Sequence, residues 1–169
     1  TRRIYYGVNN VPTLFLDGST KFANAISQEK MDISYNTPSF FDIRSSFTLN
    51  DNTITVIADF MPYINIKNLK AYVTVNEKTT TKNIGSNSET EFHHILMKML
   101  GSPSGTKLDF EAGTYQRLEF SYDMSSTNVE ELDDLEVAIW IQNPTTKEVL
   151  NSRFAYEYTE HVYPAQNVN

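Results

Sequence analysis

The chain has 169 residues, with 14 basic and 21 acidic side chains and no cysteine. The lack of cysteine excludes disulfides, thiol nucleophiles, CxxC redox pairs and cysteine-based zinc sites from this chain. The formal charge of −7, without a run of Lys or Arg, argues against a nucleic-acid partner because a phosphate backbone would be repelled. We also expect no transmembrane span, because no apolar stretch approaches the roughly 20 residues that a spanning helix needs.

Residues 1–31 follow a different pattern from the rest of the chain. Residues 4–8 and 11–16 each read as a short apolar strand, and an Asp-Gly pair that tolerates positive φ closes the second one. A Ser-Thr pair can then cap a helix over residues 22–31, where apolar residues recur near the helical period. This part of the chain therefore predicts two strands followed by a helix.

The remaining chain predicts an antiparallel β-sandwich of immunoglobulin-like or jelly-roll type. Residues 32–38 are rich in Asp, Ser, Asn, Thr and Pro, a composition typical of a linker. Residues 39–160 contain about eight short stretches of period-2 alternation, including a hairpin that turns at residues 50–52. Residues 91–100 are largely apolar on both faces, which favours a central strand. Residues 161–169 are expected to form an extended tail.

One N-terminal segment resembles the cis-proline region of thioredoxin-like domains. It reads Tyr6-Gly7-Val8-Asn9-Asn10-Val11-Pro12-Thr13 and is followed by an apolar strand and an Asp-Gly turn. The resemblance implies a cis bond before Pro12 and an edge at Val11, Pro12 and Thr13 where an extended peptide docks through backbone bonds. The alternative is that these residues only shape a turn, because the redox cysteines that would use such an edge are absent.

Four segments of the remaining chain carry a second resemblance: residues 89–100, Gly105-Thr106, Ala112-Gly113 and residues 146–150. Together with the N-terminal part, they look like the C-terminal region of the twenty-eight-kilodalton outer-membrane protein (Omp) family of Bacteroidetes and its secreted, thioredoxin-containing relatives. The resemblance implies export to the periplasm, outer membrane or cell surface. This sequence lacks the lipoprotein cysteine and the redox cysteines, so lipid anchoring and thiol chemistry are not implied for it.

The sequence predicts no catalytic, cofactor or metal site. His93 and His94 are adjacent on a predicted strand and point to opposite faces, so they cannot bind one ion together without a bulge. The carboxylates at residues 89–91 and 130–134 lie in predicted loops, where a solvated face is favoured over a calcium contact or glycoside hydrolysis. No Gly-x-Ser-x-Gly elbow is present.

Aromatic side chains on the predicted strands are candidate recognition residues. Exposed in a line, they would suit stacking on sugar rings or gripping a protein partner. The alternative is that they are half-buried cross-strand pairs, which sheets use routinely. The candidates are Tyr72, Tyr115, Tyr122, Trp140, Tyr156 and Tyr158.

These observations predict a non-catalytic, exported or cell-surface accessory module that recognises a protein or a glycan. The alternative is the C-terminal part of a thiol-disulfide or chaperone-like thioredoxin-family protein, with its redox half upstream of Thr1. The unpaired strand edges of residues 1–31 also predict a homodimer formed through that edge.

Overall fold

The structure is a computed structural model that describes residues 2–10, 13–22, 25–82 and 89–155. Four short elements come first: α1 (Arg2–Tyr6), β1 (Leu14–Leu16), β2 (Thr20–Phe22) and α2 (Gln28–Tyr35). The strands that follow are β3 (Phe41–Asn50), β4 (Thr53–Pro62), β5 (Ile66–Thr80), β6 (Phe92–Leu100), β7 (Thr106–Phe110), β8 (Gln116–Asp123), β9 (Leu135–Gln142) and β10 (Val149–Phe154). Neither described helix has the length and apolar character needed to cross a membrane.

Within the described residues, these longer strands form two antiparallel sheets. One has the order β10-β9-β5-β6, with β7 pairing to the first half of β5, and the other has the order β3-β4-β8. The predicted fold class, mainly β with antiparallel packing consistent with a sandwich, is therefore confirmed. The predicted hairpin turns where expected, since β3 and β4 pair from Asn50 opposite Thr53 onward.

Alternating side chains of both sheets form one core. Eight inward-facing residues of β4, β5 and β9 are at most 1 % exposed, which follows the period-2 pattern. Full burial of one such large aliphatic or aromatic side chain contributes roughly 1.5–3 kcal/mol, so this core dominates the stability of the fold. The set comprises Ile54, Val56, Phe60, Val73, Val75, Val137, Ile139 and Ile141.

The strand β6 does not lie in the centre of its sheet. Among the described residues it pairs with β5 alone, and Leu96 is 51 % exposed. The prediction of a central strand is wrong because β5 is 15 residues long and takes the middle position, where β9 covers one of its edges and β6 and β7 share the other. Apolar residues on both faces of β6 therefore do not indicate burial on both sides.

The first predicted strand is a helix instead. Residues 4–8 fall partly in α1, which ends in a Schellman motif: Gly7 has φ +63°, its N–H donates to the carbonyl of Ile4, and the N–H of Val8 donates to that of Arg3. A contact between Arg2 and Tyr6, one helical turn apart, also favours the helix. Two strands and a helix do follow α1, as β1, β2 and α2, but only β1 overlaps a predicted strand.

The helix α2 starts later than the sequence predicts and runs into residues 32–38, the predicted linker. Thr20–Phe22 pairs with β1 as a strand, so the helix begins only after Ser27, whose hydroxyl accepts a hydrogen bond from the N–H of Lys30 at 3.4 Å. Asn36 caps its other end by donating to the carbonyl of Asp32. The helix therefore begins where Ser27 caps it.

Candidate functional site

Two aromatic rings stack on the outer face of the sheet that contains β5 and β9. Tyr72 and Trp140 are register partners on these neighbouring strands, and their ring centroids lie 5.1 Å apart at an interplanar angle of 14°. Tyr72 is only 3 % exposed although it points away from the core, whereas Trp140 is half-buried. Another part of the chain must therefore cover Tyr72.

The turn at Ser104 and Gly105 packs on one part of the Tyr72 ring, and the guanidinium of Arg2 covers another part. Its central carbon lies 4.4 Å from the ring centroid of Tyr72 and 5.8 Å from that of Trp140, and it also lies 4.7–4.9 Å from the centroids of Tyr5 and Tyr6. Cation–π contacts of this kind contribute about 0.5–2 kcal/mol each, depending on desolvation. Burial, reinforced by the neighbouring Tyr72, raises the pKa of Tyr5, as expected for a phenol packed away from water.

A fully buried amide fixes the same segment to the end of β9. Gln142 donates from Nε2 to the hydroxyl of Tyr6 at 2.8 Å and to the carbonyl of Lys147 at 2.6 Å. Arg2 in turn donates to Oε1 of Gln142 at 3.5 Å. Because a buried amide without partners costs about 1–3 kcal/mol, Gln142 favours the position in which α1 lies against the sheet.

The turn between β1 and β2 docks on the start of β10. The backbone N–H of Val149 donates to the carbonyl of Asp17 at 2.8 Å. Gly18, at φ +71°, lies so close to Lys147 and Gln142 that a side chain would collide with them. The ring of Phe15 packs on Tyr6 at 5.1 Å between centroids. The N-terminal elements and the sandwich therefore share a defined contact.

An open cavity of about 500 Å³ lies beside this contact, and we call it the aromatic groove. Its floor includes two small residues, Ala138 and Ser152, which are the register partners of Phe154 and Trp140 respectively. Because small side chains alternate with large ones across β9 and β10, space remains between the aromatic rings. The groove is lined by Tyr6, Phe15, Asp17, Gly18, Ala138, Ile139, Trp140, Val149, Ser152, Arg153 and Phe154.

Two further surface features differ from the aromatic groove. A smaller cavity of about 100 Å³ between Arg2, Lys70 and Ser104 has room for only a few water molecules. Three exposed apolar side chains, Phe40, Tyr63 and Ile64, form a patch in which the N–H of Tyr63 donates to the carbonyl of Phe40 at 2.8 Å.

The structure brings only part of the predicted recognition aromatics together. Tyr72 and Trp140 stack, whereas Tyr122 lies on β8 of the other sheet and Tyr115 lies just before that strand. The ammonium of Lys98 lies 4.0 Å from the ring centroid of Tyr122. Tyr156 and Tyr158 lie outside the described residues.

Thr13 is the one residue of the predicted peptide-docking edge that lies among the described residues. Val11 and Pro12, including the bond between them, lie outside the described residues. Thr13 is half-buried, and its hydroxyl donates to the carbonyl of Asn10 at 2.6 Å. The docking edge therefore stays a prediction.

Sequence reasoning missed Tyr6, Phe15 and Phe154, which line the groove from three distant parts of the chain. The pairing of β9 with β10 brings Phe154 to Trp140, and the docked N-terminal elements bring the other two rings. A usable signal in the sequence was the pair of small residues, Ala138 and Ser152, among the large residues of neighbouring predicted strands.

The two adjacent histidines each have a separate carboxylate partner. His94 has φ +54°, and its Nδ1 lies 2.7 Å from Glu136, whereas Nε2 of His93 lies 3.0 Å from Glu91. Among the described residues, no group of three or more His, Cys, Asp or Glu side chains is arranged to hold a metal ion. The geometry indicates two surface contacts rather than a shared ion site.

The acidic segment around residue 130 binds backbone amides of β5 and the residues after it. The fully buried carboxylate of Glu77 accepts hydrogen bonds from the N–H groups of Glu130 and Glu131 at 2.6–3.1 Å. In the opposite direction, the carboxylate of Glu130 accepts from the N–H groups of Thr81 and Lys82 at 2.8–2.9 Å. These carboxylates hold a loop, so the simple solvated face predicted from the sequence is incomplete.

Comparison with known proteins identifies a shared fold. HBP35 of Porphyromonas gingivalis is similar to 99 % of this chain, with a TM-score of 0.71 and 13 % sequence identity, and the chain spans 61 % of the length of that protein's structure. Two β-glucosidases, from Kluyveromyces marxianus and Listeria innocua, are similar to 69 % of the chain at 12–13 % identity. The match covers only 14–16 % of the length of each enzyme. Their TM-scores of 0.35 are too low to support a comparison. No protein-family model and no curated protein sequence matches the chain.

Proposed function

We propose that this chain is a non-catalytic, exported or cell-surface accessory module that recognises a protein or a glycan in the aromatic groove. The groove itself carries the proposal. Its volume of about 500 Å³ lies within the roughly 300–1,000 Å³ typical of ligand sites, and aromatic rings with a few polar groups line it.

The polar groups of the groove favour binding over catalysis. Asp17 is the sole carboxylate among the described lining residues, and it already accepts a hydrogen bond from the hydroxyl of Ser34. Those lining residues also include no histidine, the side chain that most often acts as a general acid or base. General acid–base catalysis in the groove would therefore need a second titratable side chain from outside these lining residues.

The proposed location depends on the resemblance to the twenty-eight-kilodalton outer-membrane protein family, to which we assign the chain as part of this proposal. Its shared fold with HBP35 of Porphyromonas gingivalis, across nearly the whole chain, supports that assignment.

Trp140 allows a direct test, because it is the single tryptophan of the chain and lines the groove. Its fluorescence is to be titrated with gluco-, manno- and chito-oligosaccharides and with peptides from a tryptophan-free protein. We expect a saturable change with at least one ligand. Ser152→Phe, which fills the floor, should abolish it, whereas Ser121→Phe, at another exposed serine on β8, should not. No response to any ligand by the folded protein would contradict the proposal.

A second candidate function is the C-terminal part of a thiol-disulfide or chaperone-like protein. The order of β1, β2 and α2 favours it, because two strands and a helix are what the resemblance to a thioredoxin-like domain implies. A cysteine pair encoded upstream of Thr1, and disulfide-reductase activity of the protein that contains it, would support this candidate over the first.

Self-association is a further part of the proposal. Among the described residues β1 and β2 form a two-stranded sheet of their own, so the outer edge of each strand offers backbone groups to another chain. We expect light scattering to show a dimer that forms with rising concentration. A strict monomer at high concentration would contradict this part of the proposal.

A further inference from the structure

We infer that the ligand of the aromatic groove is an aromatic side chain on a basic segment of a partner protein, and not a sugar. This inference rests on the proposed function and narrows it to one ligand class. Three observations carry it: the scarcity of polar groups in the groove, the way in which the chain fills the neighbouring surface with its own residues, and the net charge.

The groove offers few groups that could replace the water around a sugar. Of its polar side chains, Asp17 is bonded to Ser34, and Arg153 donates to the carbonyl of Ile43 at 3.1 Å and lies 3.7 Å from Asp42. The hydroxyl of Tyr6 accepts a hydrogen bond from Gln142 at 2.8 Å, and Ser152 adds one further hydroxyl. A sugar hydroxyl that faces the apolar floor of this open groove would lose water without gaining a partner, which costs more than a stacking contact returns. An aromatic side chain has no such requirement.

On the sheet face beside the groove, the chain packs a cation of its own among aromatic rings. Directly beside the groove, Arg2 lies over Tyr72 and Trp140, with Tyr5 and Tyr6 packed around it. A cation flanked by aromatic rings therefore already occupies one end of the face. The remaining side of Trp140 lies toward the small Ser152, its partner on β10, where a further ring would extend the row begun by Tyr72.

The net charge of the chain indicates the sign of the charge that its partner carries. The chain carries a formal charge of −7 and has a sequence pI of about 4.9. Such a surface attracts basic segments at long range and repels acidic ones. A Lys or Arg next to the aromatic anchor would also reproduce the arrangement of Arg2 beside Tyr5 and Tyr6.

The test is selection of random twelve-residue peptides displayed on phage against the folded protein, with immobilised glycans in parallel. We expect enriched peptides in which an aromatic residue neighbours Lys or Arg. Their affinity should fall at least about tenfold on the Ser152→Phe variant and when the anchor is replaced by Ala, but not on Ser121→Phe.

The outcomes separate this inference from the proposed function. Glycan binding that Ser152→Phe abolishes, without a peptide consensus, would overturn the inference and leave the proposed function standing. Peptides with acidic flanks, or peptides that bind Ser152→Phe as tightly as the wild type, would also overturn the inference. If neither peptides nor glycans bind, both the inference and the proposed function fail.

Discussion

Arg117 donates two hydrogen bonds of 2.8 Å to the fully buried carboxylate of Asp59, its register partner on the neighbouring strand. The pair joins β8 to β4, and the guanidinium balances the charge of the buried carboxylate. The hydrogen bonds to Asp59 raise the pKa of Arg117 above its usual value, so the guanidinium is charged at neutral pH.

Replacing Arg117 by Ala should lower the free energy of unfolding by about 3 kcal/mol, because it removes both charge-assisted hydrogen bonds from Arg117 to the buried carboxylate of Asp59. Water can reach the site partly, since the Arg117 side chain is 25 % exposed, so the loss should not exceed this value greatly. Urea denaturation measures the change. Arg44→Ala removes an arginine from the more exposed contact with Asp42 and should cost less than about 1 kcal/mol. Equal losses would contradict the assigned role of Asp59 and Arg117.

Replacing Gly18 by Ala should loosen the N-terminal elements from the sandwich. A Cβ atom there would collide with the carbonyl of Lys147 and lie 2.9 Å from Nε2 of Gln142, in addition to the cost of a positive φ. Gly113→Ala is the matched control, because it has φ +77° but no described atom within 4 Å of the new Cβ. We expect hydrogen exchange in β1 and β2 to rise in the first variant and not in the second.

The alkaline stability of the protein should depend on the contact between Lys98 and Tyr122. Hydrogen bonding to Lys98 is the main cause that lowers the pKa of Tyr122, and a bond to Ser126 adds to it. Because the folded pKa is lower than the unfolded value of about 10, the free energy of unfolding should rise with pH between the two values and lose this gain as the pH falls through the folded one.

Lys98→Met should return the pKa of Tyr122 toward its usual value and remove that rise. Carbon NMR of protein with labelled tyrosine can follow the Tyr122 ring during a pH titration, once its signal is distinguished from those of the other nine tyrosines. Lys107→Met, at an exposed position on β7, is the control that should leave the titration of Tyr122 unchanged. A Tyr122 titration that is identical in all three proteins would contradict this electrostatic account.

Much of the sandwich could be predicted from the sequence because its signal is local. The alternation of Ile54, Val56, Ala58 and Phe60 places these side chains on one face, and all four are buried. The turn that joins this strand to β3 is likewise encoded within a few residues, where Asp51 takes φ +51°.

The groove could not be predicted because it depends on contacts between distant residues. Tyr6 and Trp140 are brought together by the docking of α1, and an apolar segment such as residues 4–8 fits a strand or a helix equally well until Gly7 closes the helix. Tyr72 shows the same limit, since alternation alone places it on the wetter face, whereas Arg2 and the turn at Ser104 and Gly105 cover it.

The central claim is that ligands bind in the aromatic groove, and NMR chemical-shift mapping tests it most directly. The ligand that changes Trp140 fluorescence most strongly is to be added to isotope-labelled protein. We predict the largest shifts at Ala138, Trp140, Ser152 and Phe154, around the groove. Shifts centred instead on the exposed patch of Phe40, Tyr63 and Ile64, with those four residues unchanged, would contradict the account.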